Sequence, residues 1–290
     1  MAPLRRRPRQ SGPCSAGVVL LHGIAGRSLM LRRLERALQR AGFATLNLDY
    51  ESRKKPLEEL AEDIHPAIAS FAASLDGPIH FVTHSMGGLL ARVYIARHRP
   101  APLGRVVMLG TPNGGSEIAD RLKDIALYRS YFGPAGLQLV TTKDVTLASL
   151  PPLDYEVGVI AGNRFLDPIS ALFLLPWPND GRVSVESCKL ADMADHTTVK
   201  ASHMGLLLHP TAVRQTMAFL RDGRFERGRP IWRSGRRERD RPSATWRKFS
   251  LLDAAIRRQF RFRIAADRQG HDRHAKRDPR QARTGSLDHH

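Results

Sequence analysis

The sequence predicts an α/β fold in which a mostly parallel central sheet has helices on both faces. Four short apolar runs, at 17–21, 43–48, 78–82 and 105–109, alternate with helix-like segments, as in right-handed strand–helix–strand crossovers. The first run, GVVLL, is apolar at four successive positions, which is typical of a strand buried on both faces. Two of the runs end in small-residue turns, THSMGG and GTPNGG, which place compact loops at the carboxyl edge of the sheet.

The predicted helices begin and end at residues that favour helix termini. Ser28 is expected to cap the first helix and Gly42 to end it. Pro56 opens the second helix, whose first turn is acidic as the helix dipole favours. The rest of the sheet and its last helix are predicted at 156–161, 197–200 and 211–220.

The string THSMGG at 83–88 carries the main functional signal. Ser85 stands between a predicted strand and a predicted helix, with Gly87 two residues on, which is typical of a nucleophile elbow. At such a turn the residues two before and two after the serine approach each other, so small side chains are needed there. Thr83 stands where the usual pattern has glycine. We therefore expect Ser85 to be a catalytic nucleophile.

A serine nucleophile needs a base, and the base needs an orienting carboxylate. On this type of fold they follow in the order serine, acid, histidine, and the chain provides Ser85, Asp180 and His203 in that order. Asp180 lies in a polar turn, and His203 lies in a loop between the last strand and the last helix. The other acids considered are Asp154, Asp167 and Asp192.

Other histidines have simpler interpretations. His209 lies at the start of the last helix, where it would cap the helix or point outward, and His196 opens a strand. His84 precedes the nucleophile, so its side chain is expected to point away from the hydroxyl.

The oxyanion that forms on the attacked carbonyl needs hydrogen-bond donors. The backbone N–H of Met86, directly after the nucleophile, is one candidate. The loop after the first strand, His22-Gly23-Ile24, offers a second in the N–H of Ile24. His22, Gly23 and Leu172 are the candidate substrate contacts. Leu172 belongs to the apolar run 169–175, which together with Tyr128, Tyr131 and Phe132 either lines an acyl pocket or forms core.

Together the strings LHGIAG, VTHSMGGLLAR, VVMLGTPNGGSE, NDGRVSVES and ASHMGLL resemble the α/β-hydrolase superfamily, in its lipase-like and esterase-like branch. The resemblance runs from about residue 17 to residue 225. It implies a three-layer sandwich with a small cap insertion, a Ser-His-Asp triad, no cofactor, and hydrolysis of carboxylic esters. Thr83 departs from the glycine of the usual elbow. The fold alone does not determine the substrate.

The composition divides the chain into a nearly neutral middle and two basic ends. The net charge is +18, and residues 221–290 hold 21 of the 46 basic and only 9 of the 28 acidic residues. We therefore expect a basic N-terminus at 1–16, a hydrolase domain at 17–225 with an insertion at 116–150, and an Arg-rich disordered tail at 226–290. The insertion is either a cap over the site or a helical decoration.

The expected partner is a small-molecule ester or lipid. The neutral middle argues against a specific nucleic-acid partner, and the tail suggests at most a weak contact with a membrane surface, although a solvated extension is the simpler interpretation. No cluster has metal-ligand spacing, so neither a metal nor a cofactor is expected. Two cysteines and no apolar leader segment favour a reduced, cytoplasmic protein.

Two other function classes remain open from the sequence. The same acyl-enzyme would serve an acyltransferase or a thioester, lactone or amide hydrolase. A non-catalytic module that binds anionic partners through the basic ends is the alternative of another kind.

Overall fold

The computed structural model describes residues 16–116, 119–120, 123–124, 126–139, 145–164 and 175–227. The basic N-terminus, most of the tail, and the run 165–174 lie outside these residues. Within them, the strands form one six-stranded sheet in the order β2-β1-β3-β4-β5-β6, and every neighbouring pair is parallel.

The first half of the domain alternates strand and helix as predicted. The elements are β1 (Gly17–Leu21), a 3₁₀ turn (Ser28–Leu31) leading into α1 (Arg32–Arg40), β2 (Ala44–Leu48), α2 (Leu57–Ala73), β3 (Ile79–His84), α3 (Met86–His98) and β4 (Leu103–Leu109). The prediction that Ser28 caps the first helix is wrong. Arg27 precedes the 3₁₀ turn, and the Ser28 hydroxyl donates to Asp49 instead.

The second half adds α4 (Ala126–Leu137), α5 (Val145–Ala148), β5 (Val157–Gly162), α6 (Val185–Cys188), β6 (Asp195–Val199), a 3₁₀ turn (Gly205–Leu207) and α7 (Pro210–Asp222). His209 caps α7, since its Nδ1 accepts from the Thr211 N–H at 3.2 Å, as one of the two sequence interpretations predicted. Gly223 ends α7 in the left-handed conformation that favours glycine.

The inner strands β1, β3 and β5 are buried at every position, whereas the edge strand β2 is half-buried. Burial on both faces explains the continuously apolar run in β1. In β1, Val19 and Leu21 pack with α2 and α3 on one face, whereas Val18 and Leu20 pack with α1 and α7 on the other. This alternation follows from the two-residue period of a strand. The result is the predicted three-layer sandwich, with the carboxyl ends of all six strands at one edge.

The insertion between β4 and β5 is attached to the domain at several points. The N–H of Ser116 donates to the Leu139 carbonyl at 2.7 Å, so the start of this stretch contacts the chain just after α4. Gln138 reaches the start of α2, accepting from the Leu57 N–H at 2.8 Å and donating to Glu58 at 3.0 Å. Within α4 the backbone kinks at Gly133, which has a φ of 62°.

Glu226 and Arg227, placed in the tail by composition, contact the domain. Arg227 pairs with Asp195, and the backbone of Glu226 exchanges two hydrogen bonds with the Gln215 side chain.

None of the helices in the described part of the chain has both the length and the apolar character that crossing a membrane requires.

Candidate active site

Ser85 is the single residue between β3 and α3. Its backbone has a φ of 54° and a ψ of −129°, a conformation that costs a non-glycine residue about 1–3 kcal/mol. Three hydrogen bonds hold the turn. The Ser85 N–H donates to the Leu109 carbonyl at 2.9 Å, and the Ser85 carbonyl accepts from the Thr111 hydroxyl and the Gly88 N–H, each at 3.0 Å. The strained turn that the sequence predicted is therefore present.

Close backbone packing explains the glycines around this serine. A methyl group added at Gly87 would lie 2.5 Å from the Leu21 carbonyl oxygen, and one added at Gly23 would lie 2.9 Å from the Cβ of Ser85. Thr83 is fully buried, and its hydroxyl donates to the Val107 carbonyl on the neighbouring strand at 3.3 Å. The threonine is thus accommodated by the sheet, and its departure from glycine does not disturb the turn.

Asp180 and His203 form a buried pair. The Nδ1 of His203 lies 2.7 Å from Oδ2 of Asp180, and the His203 N–H donates to the Asp180 carbonyl at 3.0 Å. The other carboxylate oxygen of Asp180 accepts from the backbone N–H groups of Arg182 and Val183, at 2.9 and 2.8 Å. Each carboxylate oxygen therefore has a defined set of donors, and the acid cannot rotate without losing them.

His203 lies next to the elbow. A methyl group added at Gly110 would lie 3.1 Å from Nδ1 of His203 and 3.2 Å from Oδ2 of Asp180, so the buried pair packs directly on this glycine. The preceding residue, Leu109, accepts the Ser85 N–H. The carboxyl ends of β3, β4, β5 and β6 thus bring the three predicted residues to one place.

His84 contributes to this arrangement in a way that the sequence did not predict. Its Nε2 lies 3.1 Å from the carbonyl oxygen of His203, so we assign the proton to Nε2, and the two rings are 4.7 Å apart. Burial holds the pKa of His84 well below its ordinary value, so the ring is neutral and still donates. The contact joins residues 119 positions apart, and no local pattern signals it.

The loop after β1, here called the β1 loop (residues 22–27), lies beside Ser85. Its Gly23 carbonyl accepts from the Gly26 N–H at 3.0 Å and lies 2.8 Å from Nδ1 of His22. Burial lowers the pKa of His22, so the ring is neutral, and Nδ1 must carry its proton to donate to that carbonyl. Because the C=O and N–H of a trans peptide point in opposite directions, these two bonds also fix the direction of the Ile24 N–H.

Met86 offers the second N–H that the sequence singled out. As the first residue of α3, it has no intrahelical partner for its N–H, and helix N-termini favour developing negative charge. Met86 directly follows Ser85, and Ile24 follows Gly23, where an added methyl group would lie 2.9 Å from Cβ of Ser85.

Comparisons with known proteins agree with the architecture. A family model described as the alpha/beta hydrolase fold matches residues 18–133, a range that includes the β1 loop and the elbow. The chain has the α/β-hydrolase fold. The resemblance to the α/β-hydrolase superfamily is therefore confirmed, as is the predicted fold class.

Solved structures of this α/β-hydrolase type resemble the chain at low identity. The mature form of the Bacillus licheniformis lipase BlEst2 is 20% identical with a TM-score of 0.55, over 74% of this chain and 93% of that one. The Legionella pneumophila phospholipase PlaB, in complex with thio-NAD, is 18% identical with a TM-score of 0.56, over 72% of this chain and 60% of that one. The metagenomic carboxyl esterase MGS0156 is 17% identical with a TM-score of 0.54, over 70% of this chain and 69% of that one.

The other residues that the sequence singled out have different outcomes. The runner-up acids Asp154 and Asp192 are exposed, and Asp154 pairs with Arg99. Asp167 and the substrate candidate Leu172 lie outside the described residues, and so do the side chains of Tyr128 and Tyr131. Phe132 is partly buried against the core. His22, another substrate candidate, is buried, and its ring contacts Gly23 and Tyr50.

The described residues contain no group of three or more His, Cys, Asp or Glu side chains that suits a metal ion. Cys188 is buried in the domain, whereas Cys14 lies outside the described residues.

Proposed function

We propose that this protein is a serine hydrolase that cleaves carboxylic esters through an acyl-enzyme. The observation that carries the proposal is the buried 2.7 Å pair of Asp180 and His203 packed beside a serine with a φ of 54°. A serine held in this conformation costs about 1–3 kcal/mol, and strained residues of this kind cluster at functional sites. The lipase and esterase names among the structural neighbours support the same class.

Acylation follows from the positions of these groups. The Ser85 hydroxyl attacks the ester carbonyl carbon while Nε2 of His203 takes its proton. Asp180 accepts the Nδ1–H, which keeps Nε2 free to act as the base and stabilises the imidazolium that forms. The oxyanion receives hydrogen bonds from the N–H groups of Met86 and Ile24. The C–O bond then breaks, and the leaving alkoxide takes the proton from Nε2.

Deacylation repeats these steps with water. Nε2 of His203 removes a proton from a water molecule, which attacks the acyl group on Ser85. The second oxyanion collapses, the serine oxygen leaves with the proton from Nε2, and a carboxylic acid is released. The enzyme returns to its starting state without a cofactor in any step.

The insertion at 116–150 is proposed to act as a cap over this site. A methyl group added at Gly136, in α4, would lie 3.3 Å from Cδ1 of Ile24, so the insertion packs on the β1 loop. Such a position shields the oxyanion donors from bulk water, which strengthens their interaction with developing charge.

The test is a panel of p-nitrophenyl esters from acetate to palmitate, run on the wild-type protein and on Ser85→Ala, with thioester and lactone substrates in parallel. We expect turnover of at least one ester length and a loss of about 10³-fold or more in Ser85→Ala. A preference for the thioester or lactone series would assign the same acyl-enzyme to those substrates. An inactive wild type, or an active Ser85→Ala, would contradict the proposal.

A further inference from the structure

A second loop supports the β1 loop and has no role in the chemistry described so far. This β2 loop (residues 49–52) follows β2, and three of its side chains each hold a different part of the chain at 22–28. The Tyr50 hydroxyl donates to the His22 carbonyl. The Ser52 hydroxyl oxygen accepts from the Ala25 N–H at 3.0 Å. Asp49 accepts from the N–H and the hydroxyl of Ser28, both at 2.7 Å.

The first of these contacts is partly buried. The rings of Tyr50 and His22 stack 4.1 Å apart and nearly parallel, at 5°. Burial raises the pKa of Tyr50, so its hydroxyl keeps the proton that it donates. The His22 carbonyl belongs to the peptide directly before the Gly23–Ile24 peptide, and His22 is 1% exposed.

The second contact holds a strained residue. Ala25 has a φ of 55°, a conformation that side chains other than glycine rarely adopt. Ser52, which is 4% exposed, satisfies the Ala25 N–H in that conformation. Tyr50 and Ser52 therefore hold the peptides directly before and directly after the Gly23–Ile24 peptide, which carries the proposed oxyanion donor of this loop, the Ile24 N–H.

We propose that Tyr50 and Ser52 are positioning residues that set the direction of the Ile24 N–H toward the oxyanion. This inference rests on the proposed function of Ser85. Neither side chain touches the reacting atoms. They act through the β1 loop, whose displacement by a fraction of an ångström weakens a hydrogen bond to an oxyanion more than it weakens substrate binding.

The structure provides a matched pair of tyrosines for the test. Tyr50→Phe removes only the hydroxyl that holds the β1 loop. Tyr155→Phe removes a hydroxyl from an equally half-buried ring, two residues before β5 and therefore at the opposite edge of the sheet. Ser52→Ala removes the second contact and keeps the inference testable if Tyr50→Phe does not fold.

The readout compares an ester with its thionoester, in which sulfur replaces the carbonyl oxygen and is a poor fit for an oxyanion site. Complete loss of one oxyanion donor costs about 10²–10³ in kcat, so a displaced donor in Tyr50→Phe should cost about 10-fold, with KM changed less than about 2-fold. The ratio of ester to thionoester turnover should fall by a similar factor. Ser52→Ala should shift both quantities in the same direction, and Tyr155→Phe should shift neither.

The outcomes separate this inference from the function on which it rests. One outcome is that the wild type hydrolyses esters and Ser85→Ala is inactive, while both Tyr50→Phe and Ser52→Ala keep the wild-type kcat and the wild-type ratio of ester to thionoester turnover. In that case the inference is overturned and the function stands. If kcat falls but the ratio is unchanged, the role is structural and the inference is overturned as well. A wild type without ester hydrolysis overturns both.

Discussion

Replacing Asp180 by asparagine exchanges one carboxylate oxygen for an NH₂ group, and the structure determines which one. One oxygen accepts two backbone N–H groups, from Arg182 at 2.9 Å and Val183 at 2.8 Å. The amide oxygen must keep that position, so the NH₂ group faces Nδ1 of His203. That nitrogen must then accept a hydrogen bond, and the ring proton moves to Nε2. His203 would then be unable to take the proton of Ser85.

The size of this effect follows from the tautomer. The corresponding change in serine-protease triads lowers kcat about 10⁴-fold, or about 5.5 kcal/mol of transition-state stabilisation. We expect about 10³–10⁴ here, with KM changed less than about 3-fold, because Asp180 touches no substrate. The free energy of unfolding should fall by only about 1–3 kcal/mol, since both backbone hydrogen bonds survive.

The assay is ester hydrolysis at pH 7–8, with urea unfolding to show that the variant is folded. Asp154→Asn is the matched control, because Asp154 is an exposed carboxylate whose partner is Arg99, and it should keep activity within about 2-fold. If Asp180→Asn retains more than a tenth of the wild-type kcat while folded, the proposed role of the buried pair is refuted.

Three further changes give separate tests. Gly23→Ala places a methyl group 2.9 Å from Cβ of Ser85. It should push the β1 loop away from Ser85 and lower kcat/KM about 100-fold in the ester assay. An unchanged kcat/KM would argue against contact between the β1 loop and the turn at Ser85. Burial lowers the pKa of His80 from 6.5 to about 4. Between these pH values the unfolded state therefore binds more protons than the folded state, and the free energy of unfolding falls as the pH falls, by about 3 kcal/mol for this residue. Thermal unfolding of His80→Asn should show a flatter dependence over that range, and an equal slope would contradict the assignment. Removing residues 228–290 should leave kcat/KM within about 2-fold of the wild-type value. A shorter chain that also lacks Arg227 loses the ion pair with Asp195 and should unfold at a lower temperature. Loss of activity in the chain that ends at Arg227 would show that the tail has a function.

Local patterns were sufficient to predict most of the fold. The run GVVLL predicts a strand because a short, continuously apolar run is typical of a strand buried on both faces, and β1 occupies those five positions. Element ends differ by one to three residues, as for β3, which extends to His84 rather than stopping at 82. Strand ends depend on pairing with neighbours that lie far away in the sequence, as His84 pairs with Leu109.

In the candidate site, too, some residues could be predicted from the sequence and others could not. Ser85, Asp180 and His203 were predicted because the elbow has a local sequence pattern and the chain order of the other two is constrained by the fold. The supporting contacts have no such pattern. Tyr50 reaches His22 across 28 positions, and the interpretation of Ser28 as a helix cap failed because Asp49, on the neighbouring strand end, binds its hydroxyl.

The central claim is that Ser85 is the activated nucleophile of this protein. A fluorophosphonate probe, followed by digestion and mass spectrometry, tests it without knowledge of the substrate, because the probe reacts only with a serine whose proton is taken by a base. We predict one probe per chain, on the peptide that contains Ser85, with no labelling in Ser85→Ala and much slower labelling in Asp180→Asn. A folded wild type that stays unlabelled, or a label that persists in Ser85→Ala, would contradict the account.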